Sequence, residues 1–177
     1  MSIKKVLRAK GSSCKCHQST IQLFILISLF LLIPLVVAVD KSANAQVYKA
    51  ELKGSEEVPP VKTAAKGEAT FRVFKGKMRM TYLLTVSDIE NVTAAHIHRG
   101  KKGKSGPPVV VFFNGPWKAG KFSSTLSEGI ITGDDLRGSL SGKPLRALIQ
   151  MIYAGEAYVN VHTEKYPEGE IRGQIGR

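Results

Sequence analysis

The fold is decided by residues 69–86, which read ATFRVFKGKMRMTYLLTV. Apolar and polar residues alternate on both sides of the central Lys75-Gly76 pair. Alternation with a period of two is typical of β-strands that bury one face, and Lys75-Gly76 fits a two-residue hairpin turn. The segment therefore predicts two hairpin-connected strands that cover one side of a hydrophobic core.

The rest of the chain continues this strand pattern, with one exception. Further strands are predicted at residues 122–126, 158–162 and 170–175, and a strand buried on both faces is predicted at residues 109–113. The exception is the stripe Leu145, Leu148, Ile149 and Ile152, whose spacing is that of a short amphipathic helix ending at Gly155. The sum is a mainly β protein, an antiparallel β-sandwich or flattened barrel of seven or eight strands with one short helix.

The N-terminal part differs from the rest and has the order of an export signal. A basic region is followed by the apolar run at residues 21–39 and by Ala43-Asn44-Ala45. This order predicts a signal peptide at residues 1–45, cut after Ala45. The alternative is an uncleaved signal anchor, because the apolar run is long enough to span a bilayer. Both predictions place residues 46–177 outside the cytoplasm, either secreted or at the cell surface, with membrane contact only through an uncleaved segment.

Charge and cysteine content limit the classes of partner. The whole chain carries a net charge of +12; six basic residues and Asp40 precede Gln46, so residues 46–177 hold 20 basic and 13 acidic side chains, a net +7. This charge favours anionic polymers of the cell surface, and export argues against nucleic acid. Both cysteines, Cys14 and Cys16, lie before the predicted cut, so no disulfide is expected in the domain.

Three histidines are the most informative candidates for a site. His96 and His98 are two residues apart in a predicted strand, so their side chains share the face opposite Ile97. His162 has the same phase in a later strand, and the three imidazoles converge if the two strands are neighbours. Three neutral imidazoles suit a transition metal, with copper as the first choice and zinc as the second.

Nearby polar groups and a simpler alternative complete the prediction for this site. Asn160, Glu164 and Glu170 are close to His162 in sequence and are candidates for orienting a ligand ring. In the alternative, the histidines are structural and bond backbone carbonyls of the loop at residues 99–108. Asn91-Val92-Thr93 is a glycosylation sequon whose use depends on the host.

Longer motifs resemble the CHRD domain family, which is named after chordin. They are Glu51 to Pro60, Ala95 to Gly100, Gly106-Pro107, Leu145 to Gly155, and above all Ala157 to Thr163 with Pro167 to Ile175. The resemblance covers residues 47–175 and implies a secreted or surface β-sandwich module, of the immunoglobulin-like or superoxide-dismutase-like kind.

The His-x-His strand is also similar to the copper-binding strand of copper/zinc superoxide dismutase. In that resemblance His96 and His98 correspond to the paired copper ligands and His162 to a later one. No histidine is available for a bridging or zinc position. A catalytic cysteine is also absent from residues 46–177, as is the Gly-x-Ser-x-Gly motif of serine hydrolases.

These observations predict an exported CHRD-domain binding module that is not an enzyme and that holds copper or zinc through three histidines. A surface adhesion domain with structural histidines is the competing prediction. A copper-dependent, dismutase-like oxidoreductase is the third.

Overall fold

The computed structural model describes residues 45–74 and 79–177. The predicted signal segment up to residue 44, including Cys14 and Cys16, and the predicted Lys75-Gly76 turn lie outside the described residues, whereas Ala45 begins the first strand. Within the two described stretches, no helix is long and apolar enough to cross a membrane.

Seven strands and one α-helix make up the described part of the chain. They are β1 (Ala45–Lys53), β2 (Lys66–Phe74), β3 (Arg79–Arg99), β4 (Pro108–Phe113), β5 (Lys118–Ile131), α1 (Arg146–Tyr153), β6 (Ala157–Thr163) and β7 (Ile171–Gln174). Three single 3-10 turns lie at Gly54–Glu56, Gly133–Asp135 and Gly138–Leu140. The predicted strand count and the single short helix are confirmed.

Alternating burial builds the first pair of strands. β2 pairs antiparallel with β3 from Phe74 opposite Arg79 to Lys66 opposite Ser87. Phe71 and Leu84 are fully buried, whereas Arg72 faces solvent. The two strands predicted from residues 69–86 are therefore present and turn their apolar face to the core, because hydrophobic burial selects the register that hides that face.

The long strand β3 pairs with four other strands. Its first half pairs with β2 and β5, and its second half pairs with β6 and β4. Strand β1 pairs with β2 on one edge and with β7 on the other. Its contacts with the C-terminal segment are Lys53 opposite Arg172 and a bridge between Lys49 and Gly176. The mainly β, antiparallel architecture is confirmed. Because β2 pairs with both β1 and β3, the strands β2, β1, β7, β6 and β3 form a closed, barrel-like sheet.

The helix α1 follows from its apolar stripe. Leu148 and Ile152 are buried together with Leu145 at its start, and they contribute to the single hydrophobic core. The helix ends at Tyr153, and Gly155 then takes a positive φ of 67°, a conformation that glycine adopts without steric cost. The short helix predicted from the spacing of these residues is confirmed; it begins one residue after Leu145 and ends two residues before Gly155.

Strand β4 departs from the prediction that it would be buried on both faces. Val109 and Val110 are buried, but Val111 is 46% exposed. The physical reason is that β4 lies at the end of the strand order and pairs along β3 with two register shifts. An edge strand has fewer covering neighbours, so a continuous apolar run does not imply burial of both faces.

Adjacent leucines on β3 provide a direct test of this packing. Leu84 is 0% exposed and Leu83 is 41% exposed. We expect Leu84→Ala to destabilise the protein by about 2–5 kcal/mol, the usual cost of a buried Leu→Ala change. The matched variant Leu83→Ala should cost less than about 1 kcal/mol, because its side chain already contacts water. Chemical denaturation measures both values, and equal costs would contradict the described register.

Candidate metal centre

The pairing of β3 with β6 places the three histidines on one outer face of the sheet. His96 lies opposite Asn160, His98 opposite Tyr158, and His162 opposite Ala94. Residues that alternate with them, including Ile97 and Val159, are fully buried in the core. The period of two along each strand therefore sends all three imidazoles to the same side, as the sequence predicted, because the two strands are neighbours.

The three rings are close enough to share one ion. One ligand atom from each of His96, His98 and His162 lies within 4.8 Å of the others. The Nδ1 atom of His96 is 3.1 Å from the Nε2 atom of His162. Two nitrogens bound to one tetrahedral ion at about 2.0 Å lie roughly 3.3 Å apart, so this pair already has the spacing of a chelate. The ligand nitrogens of the three rings lie up to 4.8 Å apart, so the rings must move closer together before one ion contacts all three.

Backbone carbonyls orient two of the rings. His98 Nδ1 lies 2.8 Å from the carbonyl oxygen of Gly106, and His162 Nδ1 lies 2.9 Å from that of Pro167. A carbonyl oxygen can only accept, so each Nδ1 carries the proton and each Nε2 keeps its lone pair. The lone pair of His162 Nε2 accepts a hydrogen bond from His96 Nδ1, whereas that of His98 Nε2 has no partner among the described residues. This is the arrangement typical of metal-binding histidines, in which the second nitrogen is held by a hydrogen bond.

The Nε2 atom of His98 is the clearest sign that the site suits a ligand. It is buried and has no hydrogen-bond partner among the described residues. Leaving a buried polar atom unpaired is costly, and native structures rarely do so without a reason. A bound cation would satisfy this lone pair, so the residues present fit a metal held by nitrogen ligands.

Burial keeps the imidazoles neutral. Burial first, and the neighbouring His162 and His98 rings next, lower the pKa of His96 to about 4. Burial also lowers the pKa of His98 and of His162, against the opposing effect of the hydrogen bonds to Gly106 and Pro167. All three rings are therefore neutral at pH 7, which is the form that binds metals.

Asn160 and Glu164, two of the groups predicted to orient a ring, have other partners. Asn160 lies beside His96 in register, yet its amide nitrogen donates to the carbonyl of Glu168, 3.3 Å away. The Glu164 carboxylate accepts from the side chain of Asn91 at 3.0 Å, and the Asn91 oxygen accepts from the backbone of Gly120. The amide of the sequon residue Asn91 is thus engaged inside the fold.

Glu170, the third such group, is buried and clamps two threonines. Its two carboxylate oxygens accept from Thr63 Oγ1 at 2.6 Å and from Thr163 Oγ1 at 2.8 Å. Together with Glu164 it lines a polar cleft of about 730 Å³. The ring partners that the structure shows are the carbonyls of Gly106 and Pro167. Gly106 lies in the loop at residues 99–108, whose carbonyls the alternative prediction named as histidine partners, whereas Pro167 was not identified from the sequence.

The lowered histidine pKa values predict how acid affects the metal-free protein. The fold binds fewer protons at the three histidines than the unfolded chain does between pH 6.5 and about 4, so stability should fall as the pH falls through this window. Glu57 acts in the opposite sense, because burial raises its pKa to about 7 and it gains a proton on folding above pH 4.5.

Comparing the natural protein with His96→Asn separates these two effects. Glu57 is present in both proteins, so it cancels in the difference between their denaturation midpoints. The variant should lose less stability than the natural protein between pH 7 and pH 5. Parallel pH profiles would show that His96 is not desolvated in the fold.

Comparisons with known proteins bear on the whole domain. The family model described as CHRD domain matches residues 48–175, a range that contains His96, His98 and His162. No curated protein and no solved structure matches the chain.

Proposed function

The chain belongs to the CHRD domain family, and on that premise we propose that it is an exported binding module that holds one copper ion through His96, His98 and His162. CHRD domains occur in extracellular proteins, which is consistent with the export signal predicted at residues 1–45. In this proposal the module stores, buffers or hands over copper and does not catalyse a reaction.

The observation that carries the proposal is the unpaired, buried Nε2 atom of His98 beside two further imidazoles. Their neutral state at pH 7 leaves one unprotonated nitrogen on each ring, which is Nε2 on His98 and on His162. His96 Nδ1 donates to His162 Nε2, so a metal at that nitrogen requires the His96 proton to move to the other nitrogen of the ring. Imidazole suits both copper and zinc, and the general affinity order of divalent ions places copper above zinc. Copper is therefore the first choice and zinc the second.

The burial of the site favours holding an ion over converting a bulky substrate. His98 and His162 are each 8% exposed, and β6 is buried along its whole length. His96 is half-buried, so a small molecule approaching from its side could still reach a bound metal. If the copper-loaded protein consumes superoxide, its function is that of a dismutase-like oxidoreductase and not that of a binding module.

A second candidate function is adhesion to an anionic surface polymer, with structural histidines. It is favoured by the carbonyl hydrogen bonds of His98 and His162, which satisfy part of each ring without a metal. It is also favoured by the exposed lysines Lys101, Lys102 and Lys104 in the loop that covers the site. Retention of the metal-free protein on heparin at physiological salt would support this candidate.

Titration of the purified protein with Cu²⁺ and Zn²⁺ tests the proposal. Calorimetry should show one copper per chain, with weaker zinc binding. The ring NMR signals of His96, His98 and His162 should shift or broaden together. Binding no stronger than that of a His96→Asn, His98→Asn double variant would refute the copper site and leave the structural role.

A further inference from the structure

A stack of three side chains lies beside the histidine site. The guanidinium carbon of Arg172 is 3.4 Å from the ring centre of Tyr158. The Tyr158 ring in turn stacks on His98, with 5.1 Å between ring centres and 18° between planes. Arg172 and Tyr158 are each only 2% exposed. The stack exists because the pairing of β6 with β7 places Arg172 opposite Asn160, on the same face as Tyr158.

The same guanidinium holds the loop that orients His98. Arg172 Nη2 donates to the carbonyl of Lys104 at 2.8 Å and to that of Lys101 at 3.1 Å. The loop continues to Gly106, whose carbonyl accepts from His98 and whose amide donates to the Tyr158 hydroxyl at 3.2 Å. Arg172 therefore supports both the ring that covers His98 and the loop that binds its Nδ1 proton.

The charge of this guanidinium is not neutralised by a contacting carboxylate. Among the described residues, no ion pair within 4 Å involves Arg172. The buried Glu57 interacts with it electrostatically, but one carboxylate oxygen of Glu57 has no hydrogen-bond partner in the described residues. Only the Tyr158 ring separates the Arg172 charge from the His98 ring. The buried surroundings screen this charge less than water would.

We propose that Arg172 is a positioning residue for the histidine site, holding His98 through Tyr158 and the loop at residues 101–106 and favouring Cu(I) over Cu(II) by its charge. This inference rests on the copper site of the proposed function. A nearby positive charge disfavours the more highly charged ion. At roughly 10 Å and an effective dielectric constant of about 20, one unit charge changes an equilibrium constant by about tenfold.

The charge effect is tested by redox titration of the copper-loaded, full-length protein. Arg172→Gln should lower the reduction potential by about 59 mV, which corresponds to the tenfold change for a one-electron couple. Arg172→Lys keeps the charge and should stay close to the natural value. The control Arg79→Gln removes another arginine that lies over an aromatic ring, that of Phe74, at the opposite end of β3 from His96 and His98, and it should leave the potential unchanged. Equal potentials in Arg172→Gln and Arg172→Lys would overturn the role of the charge.

The positioning effect is tested without metal, by the exchange of the His98 Nδ1 proton with water in NMR spectra of the metal-free protein. Both Arg172→Gln and Arg172→Lys should accelerate this exchange at least about tenfold, because neither side chain reproduces the planar guanidinium that stacks on Tyr158 and donates to two carbonyls. If Arg172→Gln does not fold, Arg172→Lys decides the question, and an unchanged exchange rate overturns the proposal. A natural protein that binds no copper refutes the proposed function, while the exchange rates still decide the role of Arg172.

Discussion

The His98→Ala variant is expected to bind copper at least about 100-fold more weakly than the natural protein while remaining folded. The change removes one of three ligands, and losing even a group that merely supports a ligand costs about 10–100-fold in metal affinity. The Nε2 atom of His98 is buried and has no hydrogen-bond partner among the described residues, so its removal takes away a ligand atom for which no described neighbour can substitute. Competition titration against a chelator of known affinity measures the loss.

Stability is the control for this experiment. His98→Ala also removes the hydrogen bond to Gly106, and we expect it to cost about 1–3 kcal/mol in the metal-free protein. His98→Asn carries an amide that can reach the Gly106 carbonyl, but it has no atom at the Nε2 position. This variant should therefore lose copper affinity equally while losing less stability. Copper binding at natural strength in both folded variants would show that the three-histidine site is wrong.

Gly106→Ala is expected to weaken copper binding by about 10–100-fold without changing any ligand, since it disturbs the group that holds a ligand ring. A Cβ atom at Gly106 would overlap the carbonyl oxygen of Arg99, so the backbone of the loop has to move. The loop is tied to β3 by the hydrogen bond from the Arg99 amide to the Pro107 carbonyl. Moving it withdraws the Gly106 carbonyl from His98, and the ring loses its fixed orientation.

The same substitution should lower the free energy of unfolding by about 1–3 kcal/mol, as other insertions into packed sites do. Gly176→Ala is the matched control, because a Cβ atom there has no heavy atom within 4 Å and the residue pairs with Lys49 of β1, a strand without a histidine. Its effect on stability should stay within about 0.5 kcal/mol, and copper affinity should not change. A Gly106→Ala protein with natural copper affinity would show that the Gly106 carbonyl does not orient His98.

The convergence of the histidines was predictable because it depends on a local rule. Residues two apart on a strand share a face, so His96 and His98 had to point the same way. The additional requirement was that the strand of His162 lie next to theirs. That requirement concerns strands more than 60 residues apart in sequence, and it is met by the pairing of β3 with β6.

The groups that orient the rings were not predictable in the same way. The alternative prediction named the carbonyls of the loop at residues 99–108, but every residue has a backbone carbonyl, so the residue types did not single out Gly106 within that loop or Pro167 outside it. Glu170 was a reasonable candidate from its position near His162. Its carboxylate is bound by Thr63 and Thr163, and Thr63 comes from a loop more than 100 residues earlier, which reaches Glu170 only in the folded chain.

The sequence alone was sufficient to predict the β class, the short helix and the common face of His96 and His98, because each depends on the spacing of residues within one segment. That His162 joins this face depends on the pairing of β3 with β6. The tertiary structure decided that the pairing of β2 with β3 closes the sheet. It also decided that loop carbonyls fix His98 and His162, and that Arg172 stacks on Tyr158 beside the site. The physical reason is that pairing between distant strands is selected by burial of the whole core. The partners of buried polar atoms are then whatever groups that packing brings within hydrogen-bond distance.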